Sequence, residues 1–380
     1  MTEIDIGGSR YDRQERIWWW DQSSLRAARV LVVGAGALGN EIVKNLALVG
    51  VGSVDVVDMD RIEHSNLARC ALFRERDEGR FKAEALADAA NDMNSDISVQ
   101  AFVCRVQAFG MARLRQYDVV IGGLDNREAR LWVNQAMRLI GGYWVDGAIE
   151  GLQGVARVFG PEGPCYECTL GETDRELLAH RRSCALLSPE ALDGGRTPTN
   201  ATTASIIGGL QVQEAIKILV GQIELVALVG AAWRMEGETM LSSLVGYSED
   251  PNCLAHDRAD EWVTLDAPVR RLVDVTEAVK TKTGLEVDTL FFPDDLIGIG
   301  DCLACGLETA MVGLRGVLPD GAGQCPQCGS ELPMEAQASV GMGDPLMQAD
   351  MQTWYWPMCE AVAVRGGTSF VHVPVEVTNG

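Results

Sequence analysis

Three C-x-x-C pairs punctuate the chain: Cys165/Cys168, Cys302/Cys305 and Cys325/Cys328. Each sets two thiolates within reach of one cation. Nineteen residues separate the second pair from the third, the spacing of a zinc ribbon, a closed structural site of four thiolates. The apolar residues around these pairs are too few to fold without the metal, so zinc affinity there is folding energy. Cys165 and Cys168 need two more ligands, and Cys253 and His256 in DPNCLAH offer them, completing a Cys₃His set. Sixteen residues past Cys168 stands Cys184, in HRRSC, with no C-x-x-C partner. His180, Arg181 and Arg182 just ahead of it would raise its thiolate fraction, although the arginines serve equally well as an acidic partner's contact or a solvated face. Cys70, Cys104 and Cys359 fit no pattern and read as small buried hydrophobes.

A second chemistry begins at Gly34-Ala35-Gly36-Ala37-Leu38-Gly39, a G-x-G-x-x-G run between an apolar strand and a helix. Gly34, Gly36 and Gly39 permit a tight turn and let a phosphate approach the helix N-terminus. Asp58 ends the next strand, where it can accept from ribose hydroxyls. Alone, this is a dinucleotide fingerprint, and NAD is the default ligand. The residues that follow favour a triphosphate instead. Asn66, Arg69 and Lys82 come next, Arg13 lies upstream in YDRQ, and Asp125 follows a strand in LDNREAR. Cationic groups neutralise phosphate oxygens, and a carboxylate at a strand's C-terminal end can hold magnesium.

These residues need a frame, and the pattern around them supplies one. Val30–Val33, SVDVV, ISVQAFV, DVVIGGL and YWVDGAIEG read as strands alternating with helical stretches, which implies βαβ units and an α/β fold with a mostly parallel sheet. TNATTASIIGGLQVQEAIKILVG predicts a long buried helix, followed by hairpin-like strands to about Tyr247. Near Asp260 the character changes to Gly, Pro and β-like runs such as SFVHVPVEV. The expected division is residues 1–257, with a crossover loop at about 169–200, and a smaller β-rich domain at 260–380 containing the ribbon at 302–328.

Composition narrows the partners. The chain has 380 residues, 11 cysteines and a net charge of −22. Such an acidic surface disfavours nucleic acid and suits a partner with a basic face, or simply solubility. Without an apolar leader or a membrane-length run, a cytoplasmic location is expected, where cysteines serve metals and thiol chemistry rather than disulfides.

In order, Arg13 in YDRQ, VLVVGAGALGNEIVKNLAL, DMDRIEHSNLAR, Lys82, LDN and PCYECTL resemble the ubiquitin-activating enzymes and their ThiF/MoeB-type relatives over about residues 10–250. GALGNEIVKNLAL is most similar to the ubiquitin-activating branch, which has a crossover-loop cysteine. The resemblance implies a Rossmann-like adenylation domain that uses ATP and Mg²⁺ to adenylate the C-terminal Gly carboxylate of a ubiquitin-like protein. It places Asp58 on the ribose, Asn66, Arg69 and Lys82 on phosphates, and Asp125 on magnesium. Arg13 would be an arginine finger delivered across a homodimer interface, and Cys184 the thioester-forming nucleophile that passes its cargo to a ubiquitin-conjugating-type enzyme. It also implies zinc at the Cys165/Cys168 site. The chain departs from the family at His256, where a fourth cysteine is usual, and at Ala185, where Thr often follows the cysteine. Trp18–Trp20 would bury the dimer interface or pack in the core. The C-terminal domain resembles no ubiquitin-fold domain and is expected to recruit the ubiquitin-like protein or the conjugating enzyme. The alternatives are a sulfur-carrier-protein adenylyltransferase, a noncatalytic partner half, or an NAD-dependent zinc oxidoreductase.

Overall fold

The computed structural model describes residues 9–171 and 198–378. The described residues divide into two compact units, one of 9–106, 114–169 and 198–256, the other of 107–113, 170–171 and 257–378.

The first unit is built on one eight-stranded sheet. Its strands are β1 (Arg29–Val33), β2 (Ser53–Val57), β3 (Ser98–Phe102), β4 (Val119–Gly122), β5 (Trp144–Glu150), β6 (Gln153–Phe159), β7 (Ala231–Glu236) and β8 (Leu241–Gly246). Their spatial order is β3-β2-β1-β4-β5-β6-β7-β8, parallel from β3 through β5 and antiparallel thereafter. β1, β2 and β4 are almost wholly buried, as strands covered on both faces must be, and so read as unbroken valine-rich runs.

Helices connect them: α1 (Gln22–Ala27), α2 (Ala37–Val49), α3 (Lys82–Met93), the single turn α4 (Val106–Phe109), α5 (Arg127–Ile140) and α6 (Ala201–Leu219). The terminators are local. Asn126 and Asn200 accept from backbone N–H groups three residues on to cap α5 and α6. Gly50 and Gly141 end α2 and α5 in the left-handed conformation. Among the described residues, no helix is long and apolar enough to cross a membrane.

The second unit has an antiparallel sheet of β9 (Thr289–Ile299), β10 (Met311–Leu314), β11 (Met334–Gly341), β12 (Glu360–Gly366) and β13 (Ser369–Val375), with β9 pairing three neighbours. One finding departs from a purely β reading: α7 (Leu272–Thr283) packs Leu272, Val275 and Val279 into this unit's core. Together with Thr276 these buried positions follow an i, i+3, i+4, i+7 spacing, so the helical period is present in the sequence.

Candidate functional site: a nucleotide cradle and two cysteine clusters

The strand order reverses between β1 and β4, so helices leave the sheet on opposite faces there and a crevice opens at the carboxyl ends. The G-x-G-x-x-G loop sits at this point and its three glycines do different work. A Cβ on Gly34, whose φ is +98°, would lie 2.6 Å from the Gly123 carbonyl oxygen, and one on Gly39 would lie 2.0 Å from that of Gly34. Those two glycines pack the loop against the sheet. A Cβ on Gly36 would meet nothing within 4 Å, so this residue leaves open space in front of the N-terminus of α2. That is where a phosphate fits.

Asp58 follows β2 and holds this loop. One carboxylate oxygen accepts from the Ala35 N–H at 2.7 Å and the other from the Asp60 N–H at 2.7 Å. Burial pushes its carboxyl up, against those N–H groups and the charge of Lys82. Lys82 opens α3 and donates to Asp60 at 2.7 Å. Burial would lower the Lys82 ammonium, but the bond to Asp60 and the fields of Asp58, Asp60 and Asp125 outweigh it, and its pKa is raised. Asp125, exposed between β4 and α5, thus shares an electrostatic neighbourhood with Lys82 and Asp58.

Asn66 is buried in a short 3₁₀ turn, its side chain accepting from the Glu63 N–H, and Arg69 donates to the Ser65 carbonyl at 2.6 Å. Arg13 is exposed and bonds to no other described residue. Trp19 and Trp20 pack against the core, while Trp18 is 82% exposed.

The first cysteine cluster draws Cys165, Cys168, Cys253 and His256 to within 4.8 Å of one another. Cys165 Sγ lies 3.8 Å from Cys168 Sγ and 3.7 Å from Cys253 Sγ, while His256 Nε2 is 3.2 Å from Cys168 Sγ. Zinc–sulfur bonds of about 2.3 Å set tetrahedral edges of about 3.8 Å, so the donor set fits zinc. His256 Nδ1 faces Glu249 at 3.3 Å, the carboxylate behind a ligating imidazole that fixes its orientation. The second cluster joins Cys302 to Cys328 and Cys305 to Cys325, each pair at 3.6 Å, and also fits. Of the remaining cysteines, Cys70 and Cys359 are buried, and burial pushes their thiols up to about 11 and about 12. Cys104 is only half-buried, because it follows β3 where the chain leaves the sheet, which corrects the expectation of a core residue. Cys184, with His180, Arg181 and Arg182, lies outside the described residues.

A family model described as ThiF family matches residues 11–255, which spans the cradle and the first cysteine cluster. The chain belongs to the ThiF family. Its ThiF domain is 35% identical over 239 residues to the SAMP-activating enzyme E1 of Haloferax volcanii, covering 61% of this chain and 81% of that one. It is 44% identical over 158 residues to the NEDD8-activating enzyme E1 catalytic subunit of Dictyostelium discoideum, covering 37% of this chain but 35% of the relative. The chain thus matches about a third of that relative's length. The sulfur carrier protein adenylyltransferase of Thermus thermophilus is 34% identical over 213 residues, covering 53% and 72%. Among solved structures, E. coli MccB with ATP superposes with a TM-score of 0.55 at 21% identity, over 66% of this chain and 75% of that one, a likeness of fold.

Three site features of the ThiF domain escape motif reading. Asp60 is the partner of Lys82, and only its position two residues past Asp58 hints at it. Arg130 donates to the Leu124 carbonyl at 2.6 Å, holding the loop that carries Asp125, and to the fully buried Asp146 at 3.0 Å. Arg157 donates to the same carboxylate from β6. Partners this far apart leave no local signal in the sequence.

Proposed function

We propose that the chain activates a ubiquitin-like protein. The observation that carries the reading is the cradle at Gly36, open in front and flanked by Asp58, Lys82 and Asp125. The ATP α-phosphorus lies open there to attack by the C-terminal Gly carboxylate of the ubiquitin-like protein. An O–P bond forms, pyrophosphate leaves, and an acyl-adenylate results. Asp58 holds the ribose, Asn66, Arg69 and Lys82 hold phosphates, and Asp125 holds magnesium, which supplies further charge neutralisation when bound. Arg13 reaches the neighbouring site of a homodimer and stabilises charge at the α-phosphate. The Cys184 thiolate then attacks the acyl carbon and AMP leaves. The resulting thioester passes to the cysteine of a conjugating enzyme. Zinc fills both cysteine clusters, and the second unit recruits one of the two protein partners.

A second reading, activation of a sulfur carrier without conjugation, is favoured by the similarity to the Thermus enzyme. ATP–pyrophosphate exchange with candidate β-grasp proteins ending in Gly tests adenylation, and Lys82→Ala is expected to cut exchange about 100-fold. Exchange with no candidate, or exchange indifferent to Lys82, overturns adenylation. Cys184→Ala separates the two readings. It should keep exchange and lose both a thiol-labile adduct and function in its pathway; a variant that functions normally in its pathway assigns the sulfur-carrier reaction instead.

A further inference from the structure

Asn40 lies in the first turn of α2, fully buried, and its side chain is spent on the glycine loop. Its Nδ2 donates to the Ala35 carbonyl at 3.0 Å and to the Gly36 carbonyl at 3.1 Å. Its Oδ1 accepts from the Leu72 N–H at 3.0 Å, on the segment that carries Asn66 and Arg69. The Gly36 carbonyl also accepts the Asn40 backbone N–H at 2.9 Å, so it is fixed along the helix axis.

A trans peptide points its C=O and its N–H in opposite directions. Drawing the Ala35 and Gly36 carbonyls toward Asn40 therefore turns the Gly36 and Ala37 N–H groups the other way. The loop is open beside them, since a Cβ on Gly36 would meet no atom within 4 Å. The Ala35 peptide on the other side is pinned independently, its N–H held by Asp58 at 2.7 Å. Two successive N–H groups thus face away from Asn40 beside an open space, in the manner of an anion-binding nest. Neither bonds to a described residue.

We infer that Asn40 is a positioning residue for the nucleotide phosphates: it orients the Gly36 and Ala37 N–H donors and ties their loop to the Asn66–Arg69 segment. The inference rests on the nucleotide reading above and adds to it a residue outside the glycine motif. Asparagine has a poorer helix propensity than leucine or alanine, and a buried amide must have partners to be tolerated, so the choice of residue follows from the loop.

The test uses the full chain and two probes, MgATP and adenosine, with adenosine read by competition against a fluorescent MgATP analogue. Asn40→Ala removes both donors, and Asn40→Asp removes them while keeping the acceptor for Leu72. Both variants are first shown to melt cooperatively. Each is expected to weaken MgATP about 10-fold or more, the worth of one to two organised hydrogen bonds, and to leave adenosine within about twofold. Equal losses for both probes would make Asn40 merely structural, and no loss for either would remove it from the site; each result overturns the inference. If the unmodified chain binds no MgATP, the nucleotide reading itself fails, a result distinct from either.

Discussion

The two cysteine clusters present similar cages with very different amounts of protein behind them. Cys165 and Cys253 meet across 88 positions of chain, whereas Cys305 and Cys325 are 20 positions apart. Behind the first cluster stands an aromatic layer: Tyr166, between the two cysteines, packs edge-on against Trp144 on β5 and Phe159 on β6 at 5.8 and 6.2 Å. Its backbone N–H is held by the buried Asn134 at 2.8 Å. Behind the second lies a small apolar group of Ile297, Ile299, Leu318, Ala322 and Leu332, completed by two of the cysteines themselves. The first cage is thus backed by a packed aromatic layer, and the second by little apolar structure of its own.

The largest effect should come from the second cluster. Replacing Cys302 and Cys325 with Ser removes both buried ligands, and with them about 10–16 kcal/mol of apparent metal binding that so small a core cannot replace. Residues 300–333 are expected to lose hydrogen-exchange protection and become the first site of proteolysis. Unchanged protection there would break the contrast between the clusters.

Cys165→Ser is the matching change in the first unit and should do less. Metal content falls by the equivalent of one cluster of the two, and the unit loses about 2–4 kcal/mol of stability while its sheet persists. Circular dichroism with metal analysis checks this. Global unfolding of the first unit would show that the aromatic layer does not hold the loop.

How far the sequence disclosed this arrangement follows the distance over which each feature is encoded. The parallel strands were legible because burial on both faces writes itself as VLVV and SVDVV, and the glycine loop because three glycines answer a steric demand within six residues. The cysteine clusters were legible because the C-x-x-C and C-x-x-H spacings are local, even where the halves are distant. The Arg130–Asp146–Arg157 cluster was not, since each residue alone is an ordinary surface charge and only the pairing of β5 with β6 and the packing of α5 bury them together. Strand β6 leaves little signal because its buried face begins with Gly154 and Ala156, and α7 because its buried face is largely β-branched, Val273, Val275, Thr276 and Val279, residue types that suit a strand as well.

The smallest expected effect sharpens the contrast within the second unit, outside its cysteine cluster. Glu360 on β12 is fully buried, and its Oε1 accepts from the N–H groups of Met111 at 3.1 Å and Ala361 at 2.8 Å. Burial, with the nearby Asp294 adding to it, outweighs those two N–H groups and pushes its carboxyl up to about 8. The folded chain therefore keeps a proton that the unfolded chain releases near the ordinary value of 4.5. Stability from this group is fully present below the ordinary value. It declines as pH rises and is gone once pH passes about 8. Glu360→Gln keeps an acceptor for Met111 and removes the titration. Its melting temperature should match the parent's near pH 4 and exceed it at pH 8. The same difference should survive in the Cys302→Ser, Cys325→Ser background, because β9, β12 and β13 close their own core around Leu290, Val362 and Val373. Parallel pH profiles for parent and variant would show that Glu360 is ionised in the folded chain, and a difference abolished by the cysteine changes would make the sheet depend on the metal after all.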